Sequence, residues 1–295
     1  MKALYPHAPI SVGAVLNCAI DRLTRAGIEA SRFEAKVIAA HVLDTEPGAI
    51  VSSRQPVSAI QSRTIDHLVS LRANRMPLNY VIGSVTFMGL HFKVDARALS
   101  PRPETELLAE MFIHRVARHQ STGGTVIDIG CGSGVLGLSV AHELPQLSVV
   151  GADISRAALQ LFLENATALG LTGRVSAVRG SFLDWLGPAA AGRIEYVISN
   201  PPYVRPDVYS TLAPEIVSYE PRAALLSPTP DGLGAYRSIA TALGMMHAVR
   251  LVGLEIGYDQ AEVLDVMRQA RADLIWRVHN DYSGHPRIVI GEADG

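Results

Sequence analysis

The chain beyond residue 103 alternates short apolar segments with helix-forming segments, and this alternation limits its possible folds more than any other feature. Apolar segments separated by helices are typical of parallel strands in a sheet that is covered on both faces. The segments of this kind are 125–129, 148–152, 175–178, 196–199 and 251–256. Two further segments, 274–278 and 287–290, lie close enough along the chain to form an antiparallel hairpin. We therefore predict an α/β domain with a mostly parallel sheet.

The chain before Met76 has helical periodicity. Ser11 precedes apolar residues that recur on one helix face. Ser31, followed three residues later by Glu34, resembles a capping box at the start of a second helix. Residues 58–74 carry a third helical pattern. We predict a small helical domain.

Between these two regions the apolar residues repeat every second position, which is typical of strands. Residues 80–82, 85–87 and 90–94 alternate around Gly83 and Gly89. We predict that this segment is a β-hairpin that links two domains. The predicted division is 1–76 for the helical domain, 77–97 for the hairpin and 98–295 for the α/β domain.

The composition excludes several classes of protein. Hydrophobic residues make up 48% of the chain and charged residues 18%, so a disordered chain is excluded. The formal charge of −2 gives no basic field toward nucleic acid or membrane, and no apolar run reaches the ~18 residues of a membrane span. Two cysteines cannot form a disulfide framework or a four-ligand zinc site. We expect a soluble cytoplasmic protein without a metal.

A glycine-rich turn follows the first predicted strand of the sheet. After Asp128 and Ile129, the turn consists of Gly130, Cys131, Gly132, Ser133 and Gly134. Glycines let backbone N–H groups approach a ligand closely, and Asp153 ends the next strand, where a carboxylate can accept ribose hydroxyls. Residues 132–137 also match the NAD-binding pattern G-x-G-x-x-G. Asp128 favours S-adenosylmethionine, because a carboxylate suits an amino-acid ammonium and would repel a pyrophosphate.

The tetrapeptide Asn200-Pro201-Pro202-Tyr203 follows the predicted strand 196–199. Ligands of open α/β sheets bind at the carboxyl ends of the strands. The Asn200 side chain and the Pro201 carbonyl offer two acceptors for the hydrogens of a planar NH₂ group, and Tyr203 offers a flat face. Holding these hydrogens orients a poorly nucleophilic nitrogen. The two motifs together indicate methyl transfer to an amide or an exocyclic amine.

Two proline-containing segments give weaker evidence about function. Residues 101–106 place two prolines around Arg102 and so fix the positions of Glu104 and Glu106. By spacing alone, a domain linker with an acidic helix start explains this segment better. Seven of the seventeen prolines lie between Pro201 and Pro230, in a stiff loop that suits the wall of a slot for an extended polypeptide.

Together the motifs resemble the HemK/PrmC family, the protein-(glutamine-N5) methyltransferases that modify peptide chain release factors. The resemblance covers nearly the whole chain. It rests on residues 75–83 with Phe87, 101–106, 128–134, 200–203, 220–225, 254–257 and 281–284. The tetrapeptide alone is unspecific, since DNA adenine methyltransferases share it, but its combination with the connector at 101–106 is specific.

The resemblance implies a Rossmann-like, seven-stranded S-adenosylmethionine-dependent methyltransferase domain, joined by the β-hairpin to an N-terminal helical bundle that recognises the protein substrate. The residues implied for the cofactor are Asp128, Gly130, Cys131, Gly132, Ser133, Gly134, Asp153, Phe182 and Asn200. The residues implied for the substrate glutamine are Asn200, Pro201, Pro202 and Tyr203, with Asn200 and Pro201 as the catalytic pair. One departure is Ser181, which stands where the family often has an acidic residue that contacts the adenine.

The implied reaction transfers methyl from S-adenosylmethionine to the side-chain nitrogen of the glutamine in the Gly-Gly-Gln motif of release factors, by a monomer that acts in translation termination. One alternative is the related enzyme that modifies a large-subunit ribosomal protein. Another is a DNA adenine-N6 methyltransferase, although the N-terminal region lacks a strongly basic surface and no direct nucleic-acid binding is expected. The last is a catalytically silent S-adenosylmethionine-binding partner of the translation machinery.

Overall fold

The structure is a computed structural model that describes residues 10–50, 56–119, 123–182, 184 and 186–294. The chain forms two compact units. The first consists of Met1–Gly83 with Pro214–Tyr219, and the second of Ser84–Ala213 with Glu220–Gly295. Within the described ranges, no helix has both the length and the apolar character needed to cross a bilayer.

The secondary structure follows the predicted change from helices to alternating strands and helices. The helices are α1 Val12–Arg25, α2 Ser31–Leu43, α3 Ala59–Ala73, α4 Leu78–Ile82, α5 Pro103–Arg118, α6 Val135–Glu143, α7 Arg156–Ala168, α8 Pro188–Ala191, α9 Pro206–Tyr209, α10 Pro214–Tyr219, α11 Gly234–Leu243 and α12 Val263–Ala270. The strands are β1 Ile10–Ser11, β2 Pro56–Val57, β3 Ser84–Phe87, β4 Leu90–Lys93, β5 Gly124–Ile129, β6 Leu147–Asp153, β7 Val175–Arg179, β8 Ile194–Ser199, β9 Leu251–Glu255, β10 Leu274–Asn280 and β11 Pro286–Ala293.

The first unit is a small helical assembly whose α1, α2 and α3 bury apolar faces against one another. Leu23, Ile38, Ile50 and Ile65 lie at its centre and are almost fully buried. The predicted capping box at Ser31 is wrong: Ser31 is the first helical residue, and its hydroxyl accepts a bond from Thr24. A capping box does begin α3, and it is formed by Ser58 and Gln61.

Residues 80–82, predicted as a strand, instead belong to helix α4. The amides of Tyr80 and Val81 both donate to the carbonyl of Pro77, and Gly83 ends the helix in the left-handed conformation at φ +79°. Five residues between a proline and a left-handed glycine suffice for one helical turn. The segment with alternating apolar residues is therefore too short for its pattern to distinguish a strand from a helical turn.

The first unit also contains helix α10, which comes from the loop after the Asn-Pro-Pro-Tyr tetrapeptide. Arg72 of α3 is a buried side chain that donates to Glu34 and, at 3.0 Å, to Glu215 of α10. Arg75 donates to the same carboxylate at 2.8 Å. The bonds to Glu34 and Glu215 raise the pKa of Arg72, although burial acts to lower it. Two arginines thus hold α10 by its one glutamate.

The second unit is built on a seven-stranded sheet in the order β10-β11-β9-β8-β5-β6-β7. Strands β5 to β9 are parallel, and β11 runs antiparallel to both β9 and β10. This confirms the predicted α/β class, the mostly parallel sheet and the terminal hairpin. Buried side chains cover both faces of the sheet, including Phe112 and Phe162 on one face and Tyr236 and Trp276 on the other.

The division into units differs in detail from the predicted one. The helical unit extends beyond residue 76 through α4 to Gly83, and the hairpin of β3 and β4 belongs to the second unit. Phe87 and Phe92 of this hairpin are buried in the core of that unit, and the amide of Lys93 donates to Asn165 of α7 at 2.8 Å. The hairpin is therefore an integral part of the second unit.

Candidate active site

The site lies where the strand order of the sheet reverses, between β5 and β8. Chain connections leave these two neighbouring strands in opposite directions, so a crevice opens beyond their carboxyl ends. The Ser199 hydroxyl donates to the carbonyl of Ile129 at 2.6 Å and joins the two strand ends. The glycine-rich turn and the Asn-Pro-Pro-Tyr tetrapeptide, 70 residues apart at this bond, therefore lie side by side.

The glycine-rich turn is held by backbone hydrogen bonds to the end of β6. The amides of Gly130 and Cys131 both donate to the carbonyl of Ala152. Gly134, at φ +88°, starts helix α6, and a Cβ there would lie 2.6 Å from the ring of Phe162. Both the left-handed backbone and the lack of space require glycine at this position.

Asp153 joins β6 to the same turn. Its Oδ2 accepts the amide of Gly132 at 3.0 Å, and its Oδ1 accepts the amide of Ser155 at 2.8 Å. Each carboxylate oxygen has a second lone pair, so Asp153 retains acceptor capacity for a ligand. Burial raises the pKa of Asp153, although these amide bonds oppose the shift.

Asp128 is the most deeply buried carboxylate of the turn. Its Oδ2 accepts the amide of Gly137 at 2.9 Å, and its Oδ1 is buried without a hydrogen-bond partner among the described residues. Burial raises its pKa to about 7, and the charge of Asp153 adds to this shift. Asp128 also lines a cavity, and a buried carboxylate with an unpaired oxygen is chemically matched to a cationic ligand group such as the ammonium of S-adenosylmethionine.

A cavity of about 390 Å³ lies against these residues, within the range of small-molecule sites. Of the predicted site residues, those that line it are Asp128, Gly130, Cys131, Gly132, Ser133, Asp153, Phe182, Asn200, Pro201 and Pro202. Gly134 and Tyr203 do not line it: a side chain at Gly134 would collide with Phe162 and Leu138, and Tyr203 contacts an apolar core. Pro221 and Pro228, from the proline-containing loop between Pro201 and Pro230, also line the cavity.

The turn after β7 contributes an aromatic side chain to the cavity. Phe182 lines it with a left-handed backbone at φ +49°, which is unusual for an aromatic residue. Ser181 also lines the cavity, and its amide donates to Asp184 at 3.0 Å. The carboxylate three residues beyond Ser181 is thus used within the turn.

The side chain of Asn200 is anchored by one of its two ends. Its Nδ2 donates to the hydroxyl oxygen of Thr105 at 3.2 Å. Its Oδ1 accepts none of the hydrogen bonds among the described residues, and Asn200, Thr105, Pro201 and Pro202 all line the cavity. The arrangement leaves the Oδ1 of Asn200 as a side-chain acceptor, and the next residue, Pro201, has a main-chain carbonyl acceptor.

Thr105 and Tyr203 meet at a single buried carboxylate, that of Glu255. The Thr105 hydroxyl donates to Glu255 Oε2 at 2.7 Å, and the Tyr203 hydroxyl donates to Oε1 at 3.2 Å. Burial raises the pKa of Glu255 to about 7, against the lowering effect of the Thr105 bond, Arg287 and the Tyr203 bond. Burial also raises the pKa of Tyr203, which keeps its hydroxyl a donor.

The connector at 101–106 is held in place by Arg102 and Glu106, and it reaches the site through Thr105. Arg102 donates to the buried carboxylate of Glu220 at 2.6 Å and so fastens the start of α5 to the proline-containing loop. Glu106 accepts the amide of Met88 in the β3–β4 turn. Glu104 is partly exposed, and Thr105 between the two glutamates is the residue that reaches the site.

Thr105 and Glu255 are functional residues of the site that were not predicted from the sequence. Both stood inside segments that resembled the family, at 101–106 and 254–257, so a signal existed. Spacing could not assign their roles, because Thr105 and Glu255 are 150 residues apart. Only the pairing of β9 beside β8, and the packing of α5 against β9, bring them together.

Solved structures share this fold. The N-terminal domain of human METTL16, solved in complex with SAH, is 12% identical, with a TM-score of 0.52, 87% of this chain covered and 94% of that chain. The human methyltransferase 10 domain-containing protein is 15% identical, with a TM-score of 0.50, 78% of this chain covered and 98% of that chain. At these identities the likeness concerns the fold alone.

Sequence relatives cover nearly the full length. Residues 14–83 match the model of the PrmC N-terminal domain, and residues 103–223 match that of the methyltransferase small domain. The release factor glutamine methyltransferase of Caulobacter vibrioides is 35% identical, with 92% of both chains covered. That of Moorella thermoacetica is 36% identical, with 92% of this chain and 95% of the relative covered. The chain is thus a methyltransferase and belongs to the release factor glutamine methyltransferase family.

Proposed function

We propose that this enzyme methylates the side-chain nitrogen of the glutamine in the Gly-Gly-Gln motif of peptide chain release factors, with S-adenosylmethionine as the methyl donor. The observation that carries the proposal is the orientation of Asn200. Its Nδ2 donates to Thr105, which leaves its Oδ1 as an acceptor, and Asn200 lines the cavity together with Pro201, whose carbonyl is a second acceptor. Two acceptors side by side match the two hydrogens of a primary amide.

The cofactor side of the cavity suits the charges of S-adenosylmethionine. The free Oδ1 of Asp128 would hold the ammonium, Asp153 would accept the ribose hydroxyls, and Phe182 would lie beside the adenine. When bound, S-adenosylmethionine supplies a methyl group on a sulfonium sulfur, and direct displacement by nitrogen would release the neutral thioether as the leaving group. The protein side of the reaction then consists of orienting the amide nitrogen toward that methyl group.

Asn200 and Pro201 would perform this orientation. An amide nitrogen is a weak nucleophile because its lone pair is conjugated with the carbonyl. Acceptors that hold both of its hydrogens fix the direction of the lone pair and interact more strongly as the nitrogen gains positive charge. The proline has no N–H of its own, so its carbonyl is presented without a competing donor at that residue.

We propose that the helical first unit recognises the release factor. This proposal is supported by the match of residues 14–83 to the PrmC N-terminal domain. An enzyme that modifies release factors would act in translation termination, in the cytoplasm. We expect hydrogen exchange in α1, α2 and α3 of the full-length enzyme to slow when intact release factor is added. A short Gly-Gly-Gln peptide should leave those helices unchanged and slow exchange around 200–203 instead. Equal protection by both ligands would exclude this role.

The test of the reaction is mass spectrometry of substrates after incubation with the enzyme and isotopically labelled S-adenosylmethionine. We expect one labelled methyl group on the glutamine of the Gly-Gly-Gln motif. Ribosomal protein and adenine-containing DNA, run as parallel substrates, should remain unlabelled. Label on either of these, with none on release factor, would contradict the proposed substrate, and label on none of them would favour a catalytically silent binding partner.

A further inference from the structure

Glu255 is buried directly behind the site, at the end of β9. The residue is 1% exposed, and it is not among the residues that line the cavity, so it has no route to a substrate. Both of its carboxylate oxygens are nevertheless engaged, by the hydroxyls of Thr105 and Tyr203. Its main-chain carbonyl accepts the hydroxyl of Tyr236 at 3.0 Å. The carboxylate therefore joins the start of α5 to the last residue of the Asn-Pro-Pro-Tyr tetrapeptide.

The direction of these hydrogen bonds is determined by the carboxylate. An ionised carboxylate can only accept, so the single hydroxyl hydrogen of Thr105 must point to Glu255 Oε2. The Thr105 oxygen is then an acceptor toward its other neighbour, and Asn200 must present its NH₂ end to it at 3.2 Å. The amide oxygen of Asn200 consequently turns to the cavity.

Without a carboxylate at position 255, this direction would be lost. The Thr105 hydroxyl could rotate and donate to Asn200 Oδ1, and the amide of Asn200 would then present its NH₂ group to the cavity. A donor facing the NH₂ group of a substrate amide cannot hold its hydrogens. The Asn200 side chain would keep its position but would present a donor where the substrate needs an acceptor.

We propose that Glu255 is a positioning residue for the methyl transfer: through Thr105 it orients the Asn200 amide with its oxygen toward the substrate, and through Tyr203 it anchors the other end of the tetrapeptide. The proposal rests on the proposed function, in which Asn200 holds a substrate amide. It assigns to Glu255 control over a hydrogen-bond direction, as groups behind metal ligands control the orientation of those ligands.

The charges around Glu255 make this control dependent on pH. Arg287 of β11 stabilises the carboxylate, and Glu104 of α5 opposes it, while the hydroxyls of Thr105 and Tyr203 face it directly. Because burial raises its pKa to about 7, Glu255 gains a proton in the neutral range. The protonated form carries an O–H that can donate to Thr105, which removes the constraint. The rate of methyl transfer should therefore rise with pH through about 7 and be constant above it.

The experiment measures the single-turnover rate at which the full-length enzyme, saturated with S-adenosylmethionine, methylates release factor. Glu255→Leu, which removes both acceptors, should lower the rate about 10- to 100-fold, the usual effect of losing an orienting contact. Thr105→Val should lower it to a similar extent, and Thr105→Ser should recover most of the loss. Because both residues act through Asn200, the double variant Glu255→Leu/Thr105→Val should be no slower than the slower single variant.

Two further variants separate positioning from general support of the fold. Tyr236→Phe removes a hydroxyl that bonds to the main chain of Glu255 and should leave rate and pH profile unchanged. Glu255→Gln cannot ionise, so its rate should lose the rise through pH 7. A wild-type rate for Glu255→Leu, additive losses in the double variant, or an unchanged pH rise in Glu255→Gln would overturn the proposal.

The variants at Thr105 keep the test decisive if Glu255→Leu does not fold, as judged by thermal unfolding and cofactor titration. In that case an unimpaired Thr105→Val enzyme overturns the proposal, and a slow one that serine recovers supports it. Failure of the proposed function is visible separately, because the wild-type enzyme itself would then leave release factor unlabelled.

Discussion

The two sides of the cavity hold their ligands by different means. The cofactor side, defined as residues 128–134 with Asp153, is built from glycines, backbone amides and two carboxylates within one strand-turn-helix segment and the next strand. The amide side, defined as Asn200 and Thr105 with Tyr203 and Glu255 behind them, is built from side chains of three separate segments, which are α5, the tetrapeptide and β9. Thr105 is 95 residues from Asn200 and 150 from Glu255.

The buried carboxylates of the two sides show what this difference means. Burial raises the pKa of both Asp128 and Glu255 to about 7. Asp128 lines the cavity and keeps one oxygen without a hydrogen-bond partner among the described residues. Glu255 uses both oxygens on protein hydroxyls. Both carboxylates are desolvated, but Asp128 is suited to bind a ligand and Glu255 to orient neighbouring side chains. We therefore expect substitutions on the cofactor side to alter cofactor affinity and substitutions on the amide side to alter the rate of methyl transfer.

The largest expected effect is on the amide side. Asn200→Ala removes one acceptor for the substrate amide and leaves the Pro201 carbonyl. We expect the single-turnover rate to fall by about 10²–10³, the usual loss when one preorganised contact to a developing charge is deleted. Cofactor affinity, measured by calorimetry, should change much less than the rate. A normal rate would show that other groups hold the glutamine, and a large loss of cofactor affinity would break the distinction between the two sides.

Asp153→Ala should have the next largest effect, and on affinity. It removes the acceptor for ribose hydroxyls and for the amides of Gly132 and Ser155. We expect S-adenosylmethionine binding to weaken by roughly 1–3 kcal/mol, with the rate at saturating cofactor little changed. Asp265→Ala, an exposed aspartate on α12, is the matched control and should bind normally. Tighter binding of NAD than of S-adenosylmethionine by the wild-type enzyme would contradict the cofactor assignment.

The smallest expected effect is the pH dependence of cofactor affinity through Asp128. Its pKa of about 7 means that below pH 7 the free protein must release a proton before the carboxylate can pair with the ligand ammonium. Affinity should therefore rise with pH, with a dissociation constant about 5- to 10-fold larger at pH 6 than at pH 7.5. Above roughly pH 8 the ligand amine loses its own proton, and affinity should fall again.

The control for this prediction is Asp128→Asn, which cannot ionise. Its affinity should be weaker than that of the wild type at pH 7.5 and should not rise between pH 6 and 7.5. If the variant retains the wild-type pH dependence, a different group titrates, and the assignment of Asp128 to the ammonium is wrong.

Much of the second unit was predictable because its signals are local. Each apolar segment predicted as a strand of the sheet is one. The central strands β8 and β9 are buried on both faces and therefore need a continuous apolar run. The glycine-rich turn was also predictable, because a left-handed backbone and close packing leave few alternatives to glycine at position 134. Short segments were less reliable: residues 80–82 form a helical turn, and Ser58 rather than Ser31 has the capping box.

The sequence by itself determined the α/β class, the place of the cofactor turn and the tetrapeptide at a strand end, because each depends on neighbours along the chain. The tertiary structure decided which side chains stand behind that tetrapeptide. It also decided that Pro214–Tyr219 packs with the helical unit through Glu215, Arg72 and Arg75. Hydrogen bonds between side chains depend on distances of about 3 Å and on donor direction. Strand order and helix packing set these for residues as far apart as Thr105 and Glu255.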